Sequence, residues 1–325
     1  MEEPRLLRWE RLTKKQFDGL DRARAVVLVT CSPLEVHGPH LPLGADVLEG
    51  EGLAERMLRF LPERHRDRTF LKLPCVYAAS DPVPQPGSLS FRPSTTIAFL
   101  EDLGRSLAAQ GFRHVLVSNF HGSPRHFLAL EVACDRVSRE RGISMLCVFS
   151  AMLSRLAVGG SELGDVLGHL PGVSKRDFDG DTHGGLVETS QLLALHPDLV
   201  DPDYKSLPPR SVALWLEERG EARPAGGAGG KLAAFGELLQ GFRAGIRFFA
   251  EETYSGSPGR ASAELGEGFL DTLGAAAGEL VGQLLDGTLP EDEWHSPLWK
   301  LRHVFTQPAA VRLFDAWLGV PKTIR

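Results

Sequence analysis

The amino-acid sequence predicts an α/β fold, a three-layer α/β/α sandwich with a mainly parallel central sheet. Three observations carry that prediction. Short apolar runs, rich in β-branched residues, recur at residues 25–31, 69–76, 113–118 and 143–149. Single stretches with helical spacing of apolar residues separate them. Strands joined through single helices imply parallel crossovers, with helices covering both faces of the sheet. The chain also holds 35 Gly and 22 Pro among 325 residues, so turns are frequent.

Taken in order, residues 25–31 (AVVLVTC) read as a buried strand. Residues 47–61 read as a helix carrying Leu48, Leu53, Met57, Leu58 and Leu61, with Asp46 where an N-cap stands. Residues 69–76 (TFLKLPCV) form the second strand, and 80–93 a loop rich in Pro and Ser. Residues 94–110 form a helix capped by Ser94 and closed by Gly111. The third strand is 113–118, the next helix 125–141 closes at Gly142, and the fourth strand is 143–149. Beyond Ser150 the texture changes. Short helices are expected over 151–170, an acidic loop over 171–182 and a helix over 185–195, ending before Pro197. A Pro-rich loop at 201–209 and a Gly-rich surface loop at 223–230 follow. Amphipathic helices are expected at 231–252 and 261–285, and the tail from Pro290 carries Trp294, Trp299 and Trp317. The stripe Leu232, Phe235, Leu238, Leu239, Phe242 and Phe248 has the spacing of a core face, an interface being the alternative. There is no internal repeat. Residues 1–285 are read as one domain and 286–325 as an extension packed on it.

Composition excludes several function classes. With 36 basic and 42 acidic residues the net charge is −6, which argues against a nucleic-acid surface. No run of about 18 apolar residues exists to cross a membrane. The start, MEEPRLLRWERLTKK, has no apolar core of a secretory signal. Cys31, Cys75, Cys134 and Cys147 show no C-x-x-C spacing, as expected for reduced thiols in a cytoplasmic protein.

The chemistry-bearing stretch directly follows the first strand: Ser32-Pro33-Leu34-Glu35-Val36-His37-Gly38-Pro39-His40-Leu41-Pro42-Leu43-Gly44-Ala45-Asp46. In α/β sheets, ligands bind beyond the carboxyl ends of the strands. Glu35 and His37 are two apart, so an extended exit points both side chains the same way. The glycines and prolines then turn the chain so that Asp46 can meet them. Carboxylate plus imidazole suits Zn²⁺, Mn²⁺ or Fe²⁺. A polar loop of caps and turns would have the same composition. A second histidine, His121, follows the third strand in Ser118-Asn119-Phe120-His121-Gly122-Ser123 and should emerge at the same edge. A third element is His183-Gly184-Gly185-Leu186-Val187-Glu188-Thr189-Ser190. There Glu188 opens a helix, where an acidic residue is often only a partner of the helix dipole.

These segments, with Gly256-Ser257-Pro258-Gly259-Arg260-Ala261-Ser262-Ala263-Glu264-Leu265-Gly266, resemble in order the four motifs of the creatininase (creatinine amidohydrolase) superfamily. The resemblance covers roughly residues 9–285. It implies a metal-dependent amidohydrolase with two divalent ions (Zn, Mn or Fe), cleaving an amide, lactam or formamide bond in a small polar metabolite. Asp46 would bridge the metals, Glu35 and His121 would serve one, and His37 the other. Glu188 is the candidate for the remaining ligand and, with His183, for a catalytic role. His183 would shuttle a proton or polarise the carbonyl. His40 would hold the loop, and Asn119 would donate a hydrogen bond behind the ligands. A homo-oligomer, commonly a hexamer, is also implied. Three departures stand out. Ser123 occupies a position where creatininase-type members can place a Glu on the second metal. Phe120 replaces a glycine. No Trp lies between Trp9 and Trp215, so creatinine itself is not the expected substrate. The competing reading is a non-catalytic or single-metal member that binds a ligand or partner.

Overall fold

A computed structural model describes residues 4–158, 163–221 and 231–318, with side chains omitted for 158, 231–239 and 318. Its centre is a five-stranded, all-parallel sheet in the order β1-β3-β2-β4-β5. The strands are β1 (Arg5–Arg8), β2 (Val26–Thr30), β3 (Thr69–Lys72), β4 (His114–Ser118) and β5 (Ser144–Cys147). The helices in chain order are α1 (Lys14–Asp18), α2 (Ala45–Arg59), α3 (Pro93–Ala109), α4 (Pro124–Arg141), α5 (Val148–Val158) and α6 (Leu163–Leu167). Then come α7 (Leu186–Leu195), α8 (Val212–Glu218), α9 (Lys231–Glu251), α10 (Ala263–Asp286), α11 (Arg302–Thr306) and α12 (Pro308–Leu318).

The alternation of side chains along β2 makes the layers. Val27, Val29 and Cys31 pack with Leu100, Leu107, Leu130 and Val137 of α3 and α4 on one face. Val26 and Leu28 pack with Met57 and Leu58 of α2 and Leu280, Val281 and Leu284 of α10 on the other. A strand that is apolar on both sides, as AVVLVTC is, can only lie between two such layers. The three-layer α/β/α sandwich is therefore the fold. A third apolar cluster, with Leu53, Leu186, Leu192, Phe269 and Leu273, joins α2, α7 and α10.

Local departures from the sequence reading have physical causes. Strand β1 was not anticipated. Its Arg-Leu-Leu-Arg run is too short to signal a strand, and it is ordered by pairing with β3, Leu6 opposite Phe70. The second run leaves the sheet after Lys72, just before Pro74. Residues 143–149 split, with Val148 already opening α5. Asp46 is not an N-cap. Gly44 takes that place and Asp46 lies inside the first turn, fully buried. Ser94 does not cap α3 either. Pro93, with its fixed φ, occupies the first turn and Arg92 is the capping position. Gly142 does close α4 in the left-handed conformation, at φ 62°.

Among the aromatic stripe, Phe248 is fully buried against Trp215 at 6.2 Å between ring centroids, and Phe242 meets Phe305 at 6.0 Å. The side chains of Leu232, Phe235, Leu238 and Leu239, and the loop 223–230, lie outside the described residues. Beyond residue 286, Phe305, Phe314, Leu298 and Trp299 pack on Phe127 and Leu128 of α4. Arg125 of α4 pairs with Asp315 of α12 and with Asp81 at 3.3 Å. All four cysteines are free thiols. No described helix is long and apolar enough to cross a membrane.

The contact of α10 with α7 is tight. A Cβ added to Gly266 would sit 1.8 Å from the carbonyl oxygen of Ser190. Backbone cannot give way as a side chain does, so Gly266→Ala is expected to destabilise the fold by about 3 kcal/mol or more. A urea midpoint equal to that of the wild type would refute this close approach.

Candidate metal centre

The segment leaving β2 turns back on itself through Glu35, whose N–H donates to the Leu43 carbonyl at 2.8 Å. That turn brings the start of α2, with Asp46, over Glu35 and His37. Strand β4 lies beside β2 and ends level with it, Thr30 opposite Ser118, so His121 emerges next to the same spot. Asn119 fixes this exit. Its Oδ1 accepts from the His121 N–H at 3.0 Å and from the Ser32 hydroxyl at 3.0 Å, and its Nδ2 donates to the His121 carbonyl at 2.8 Å.

Six side chains converge: Glu35, His37, Asp46, His121, His183 and Glu188. His37 Nε2 lies 3.6 Å from Glu35 Oε1, 3.5 Å from Asp46 Oδ1 and 3.7 Å from Glu188 Oε2. His121 Nδ1 lies 3.1 Å from Glu35 Oε1 and 3.6 Å from Asp46 Oδ2. Two of the ligand-type triads that form share Asp46: Glu35, Asp46 and His121 make one, and His37, Asp46 and Glu188 the other. A third consists of Glu35, His37 and His183, with His183 Nδ1 3.6 Å from Glu35 Oε1.

The histidine tautomers follow from their outer bonds. His37 Nδ1 is 3.1 Å from the Glu35 carbonyl, so that nitrogen keeps a proton, and Nε2, which faces the carboxylates, is the one whose proton a metal would displace. His183 Nε2 is 2.7 Å from the Val36 carbonyl, which leaves Nδ1 facing the cluster. The His183 ring stacks on His37 at 4.0 Å and meets the edge of Phe249 at 5.4 Å. Gly184 makes this stacking possible. It has φ +59°, and a Cβ there would lie 3.2 Å from the His37 carbonyl oxygen. The Gly184 N–H donates to Glu188 Oε2 at 2.5 Å, and the Val83 N–H donates to Glu35 Oε2 at 2.7 Å.

The charges of the cluster are closely tied to its burial. Burial opposes charge on His37, but Asp46, Glu188 and Glu35 outweigh it and lift its pKa to about 10. Burial likewise opposes charge on His121, and Glu35 and Asp46 raise it to about 9. The imidazoliums, with His121 foremost, overcome burial at Glu35 and hold its carboxyl well below the usual range. Burial pushes Glu188 up to about 7 and raises Asp46. Burial and the charge of His37 lower His183 to about 3. Glu35 Oε1, His37 Nε2 and Asp46 Oδ2 are all buried, and none has a hydrogen-bond partner. Buried polar atoms rarely stay unpaired. Three in one cluster, on two acids and an imidazole that all belong to the ligand-type triads, fit divalent metal ions.

The remaining sequence candidates stand just behind. His40 is buried and bonds through Nε2 to Thr189 Oγ1 of α7 at 2.8 Å, and its carbonyl accepts from the Asp201 N–H. Ser123 belongs to none of the triads; its hydroxyl donates to Asp81 Oδ2 at 3.2 Å. Sequence reading missed the Val83 N–H and Phe249, which no local pattern announces. It also missed His126, which bonds to the Cys31 carbonyl at 2.8 Å beside His121. Glu49 was missed too. It is a fully buried carboxyl one turn beyond Asp46, raised well above its usual pKa by burial, Glu188 and Asp46. Its spacing of three from Asp46 on an amphipathic helix was the available signal.

Comparison with known proteins gives concordant results. The family model described as "Creatininase: Creatinine amidohydrolase" matches residues 10–281. A creatinine amidohydrolase of Pseudomonas putida is 27% identical over 198 residues, covering 59% of this chain and 73% of that protein. The crystal structure of a creatinine amidohydrolase (creatininase) superposes with TM-score 0.59 at 22% identity, over 86% of this chain and 97% of that one. A mutant creatininase of Zn-Zn type superposes with TM-score 0.55 at 19% identity, over 87% and 98%.

Proposed function

Since the chain belongs to the creatininase family, we propose that it is a two-metal amidohydrolase that cleaves a C–N bond, in a lactam, formamide or other amide of a small polar metabolite. The observation that carries the reading is the trio of buried, unpaired atoms Glu35 Oε1, His37 Nε2 and Asp46 Oδ2. Glu35 and His121 would hold one ion, His37 and Glu188 the other, and Asp46 would serve both. Bound divalent ions supply Lewis acidity and an acidified water.

The chain's own residues do the rest. His183 presents an unprotonated Nδ1 to the cluster while its Nε2–H is tied to the Val36 carbonyl. It is therefore placed to take a proton and deliver it to the leaving nitrogen. Stacking on His37 and contact with Phe249 fix its ring plane. Burial of the cluster excludes bulk water and strengthens each electrostatic contact. Asn119 holds the backbone of His121, and His40 ties the ligand loop to α7.

Ser123 favours a second reading, a single-metal binding protein, since its hydroxyl is directed to Asp81. Metal analysis of the purified protein separates the two. Two tightly held ions per chain support the hydrolase, one supports the alternative, and fewer than one defeats both. A panel of lactams, formamides and creatinine, assayed by product release, then identifies the bond class. On whichever amide is turned over, His183→Gln is expected to lower kcat by about 10²–10⁴-fold with metal content unchanged. Undiminished turnover would remove His183 from the chemistry. Elution as an oligomer of this chain, a hexamer foremost, is part of the same proposal.

A further inference from the structure

Helices α2 and α7 run side by side in the same direction. At their first turns Asp46 and Glu188 both face His37 Nε2, at 3.5 and 3.7 Å. Two turns on, a Cβ on Gly52 of α2 would lie 2.4 Å from Leu195 Cδ1 of α7. Glu49 and Gln191 fall between these two contacts, each three residues after a carboxylate of the His37, Asp46 and Glu188 triad. Both are fully buried. Both carboxyl oxygens of Glu49, and both the oxygen and the nitrogen of the Gln191 amide, lack a hydrogen-bond partner. The neighbouring positions Leu53 and Leu192 are apolar and belong to one core cluster. Four unpaired polar atoms in such a layer cost stability that two leucines would not. Their location directly behind two acidic ligand candidates supplies a reason to keep them.

We propose that Glu49 and Gln191, whose buried polar atoms are unpaired in the metal-free protein, are positioning residues for the second metal, whose hydrogen-bonding groups take up and orient the carboxylates of Asp46 and Glu188 when an ion is held. The proposal rests on the two-metal reading above. Carboxylates that ligate a metal are themselves held by outer hydrogen bonds, and those partners set affinity. Gln191 on α7 offers a donor and an acceptor, and Glu49 stands one turn beyond Asp46 on α2. Neither belongs to a ligand-type triad, so both are positioning residues.

The test titrates metal-free full-length protein with Zn²⁺ against a chelator of known affinity. Wild type is expected to bind two ions per chain. The double variant Glu49→Leu with Gln191→Leu should keep the first affinity and weaken the second by about 10–100-fold. Its metal-free form should melt no lower than wild type, because unpaired polar groups have gone. Glu49→Gln, which keeps the capacity to hydrogen-bond, should bind the second ion within about threefold of wild type, a rescue that follows if hydrogen bonding to the ligand carboxylates is what counts. A second affinity unchanged in the double variant overturns the proposal, as does a Glu49→Gln protein as weak as that variant. If the double variant does not fold, Gln191→Leu alone must show the weakened second site. Wild type binding fewer than two ions refutes the two-metal reading instead, so the two failures are distinct.

Discussion

Asp46→Ala is expected to empty both metal sites at once. Asp46 Oδ1 lies 3.5 Å from His37 Nε2 and Oδ2 lies 3.6 Å from His121 Nδ1, so one carboxylate faces both histidines. Removing it takes a ligand from both triads that share it, whereas His121→Ala or Glu188→Gln takes one from a single triad. Metal content in Asp46→Ala should fall well below one ion per chain. Turnover should fall by about 10³–10⁴-fold or more, the several kcal/mol that metal ions contribute to the transition state. Circular dichroism should show the fold intact, because Asp46 makes no contact on which the sheet depends. An Asp46→Ala protein that still holds one ion tightly would show that the carboxylate is not shared.

Metal affinity should rise steeply with pH, by about tenfold per pH unit for each ion between pH 6 and 8. The cause is the charge on the metal-free cluster. Its carboxylates lift His37 to about 10 and His121 to about 9, so both imidazoles are protonated at neutral pH until a metal displaces the proton. For the metal-free fold the sign is the opposite. A histidine with a folded pKa above its unfolded value of about 6.5 contributes stability that is complete below that pH. That contribution is lost as pH rises through about 9 to 10. Raising pH thus weakens the empty protein while it strengthens metal binding. Calorimetry in buffers of different ionisation enthalpy should count about two protons released on filling both sites. An affinity flat between pH 6 and 8 would show that the histidines are already neutral.

Much of this architecture was legible in the residues, for identifiable reasons. The runs at β2, β4 and β5 are apolar on both faces, and only a sheet covered on both sides accepts them. The convergence of this loop was legible because Glu35, His37 and Asp46 fall within twelve residues, at the exit of a strand. His183 and Glu188 come from a distant loop. What pointed to them was a motif, since spacing alone leaves Glu188 as an ordinary helix-start acid. What escaped was set by tertiary contact. The Arg-Leu-Leu-Arg of β1 becomes a strand only because β3 is beside it. Asp46 resembles a cap in sequence, yet the turn at Gly44 starts the helix earlier and carries the carboxylate into the cluster. The Val83 N–H has no local signature, and the spacing of Glu49 and Gln191, each three residues after an acid, gains meaning only from which helix lies opposite.

The arrangement of the sheet also sets an order of assembly. Strand β2 is central, but β1 waits for a partner some sixty residues downstream. Glu35, Asp46 and His121 are all present once residue 121 has left the ribosome. The set of His37, Asp46 and Glu188 is incomplete until residue 188, and α10, which covers α2, ends only at Asp286. Synthesis therefore presents one triad well before the other, on a helix whose outer support is still unmade. Because binding a metal also stabilises the structure that holds it, an ion held by the first triad would act as a scaffold for the chain that follows.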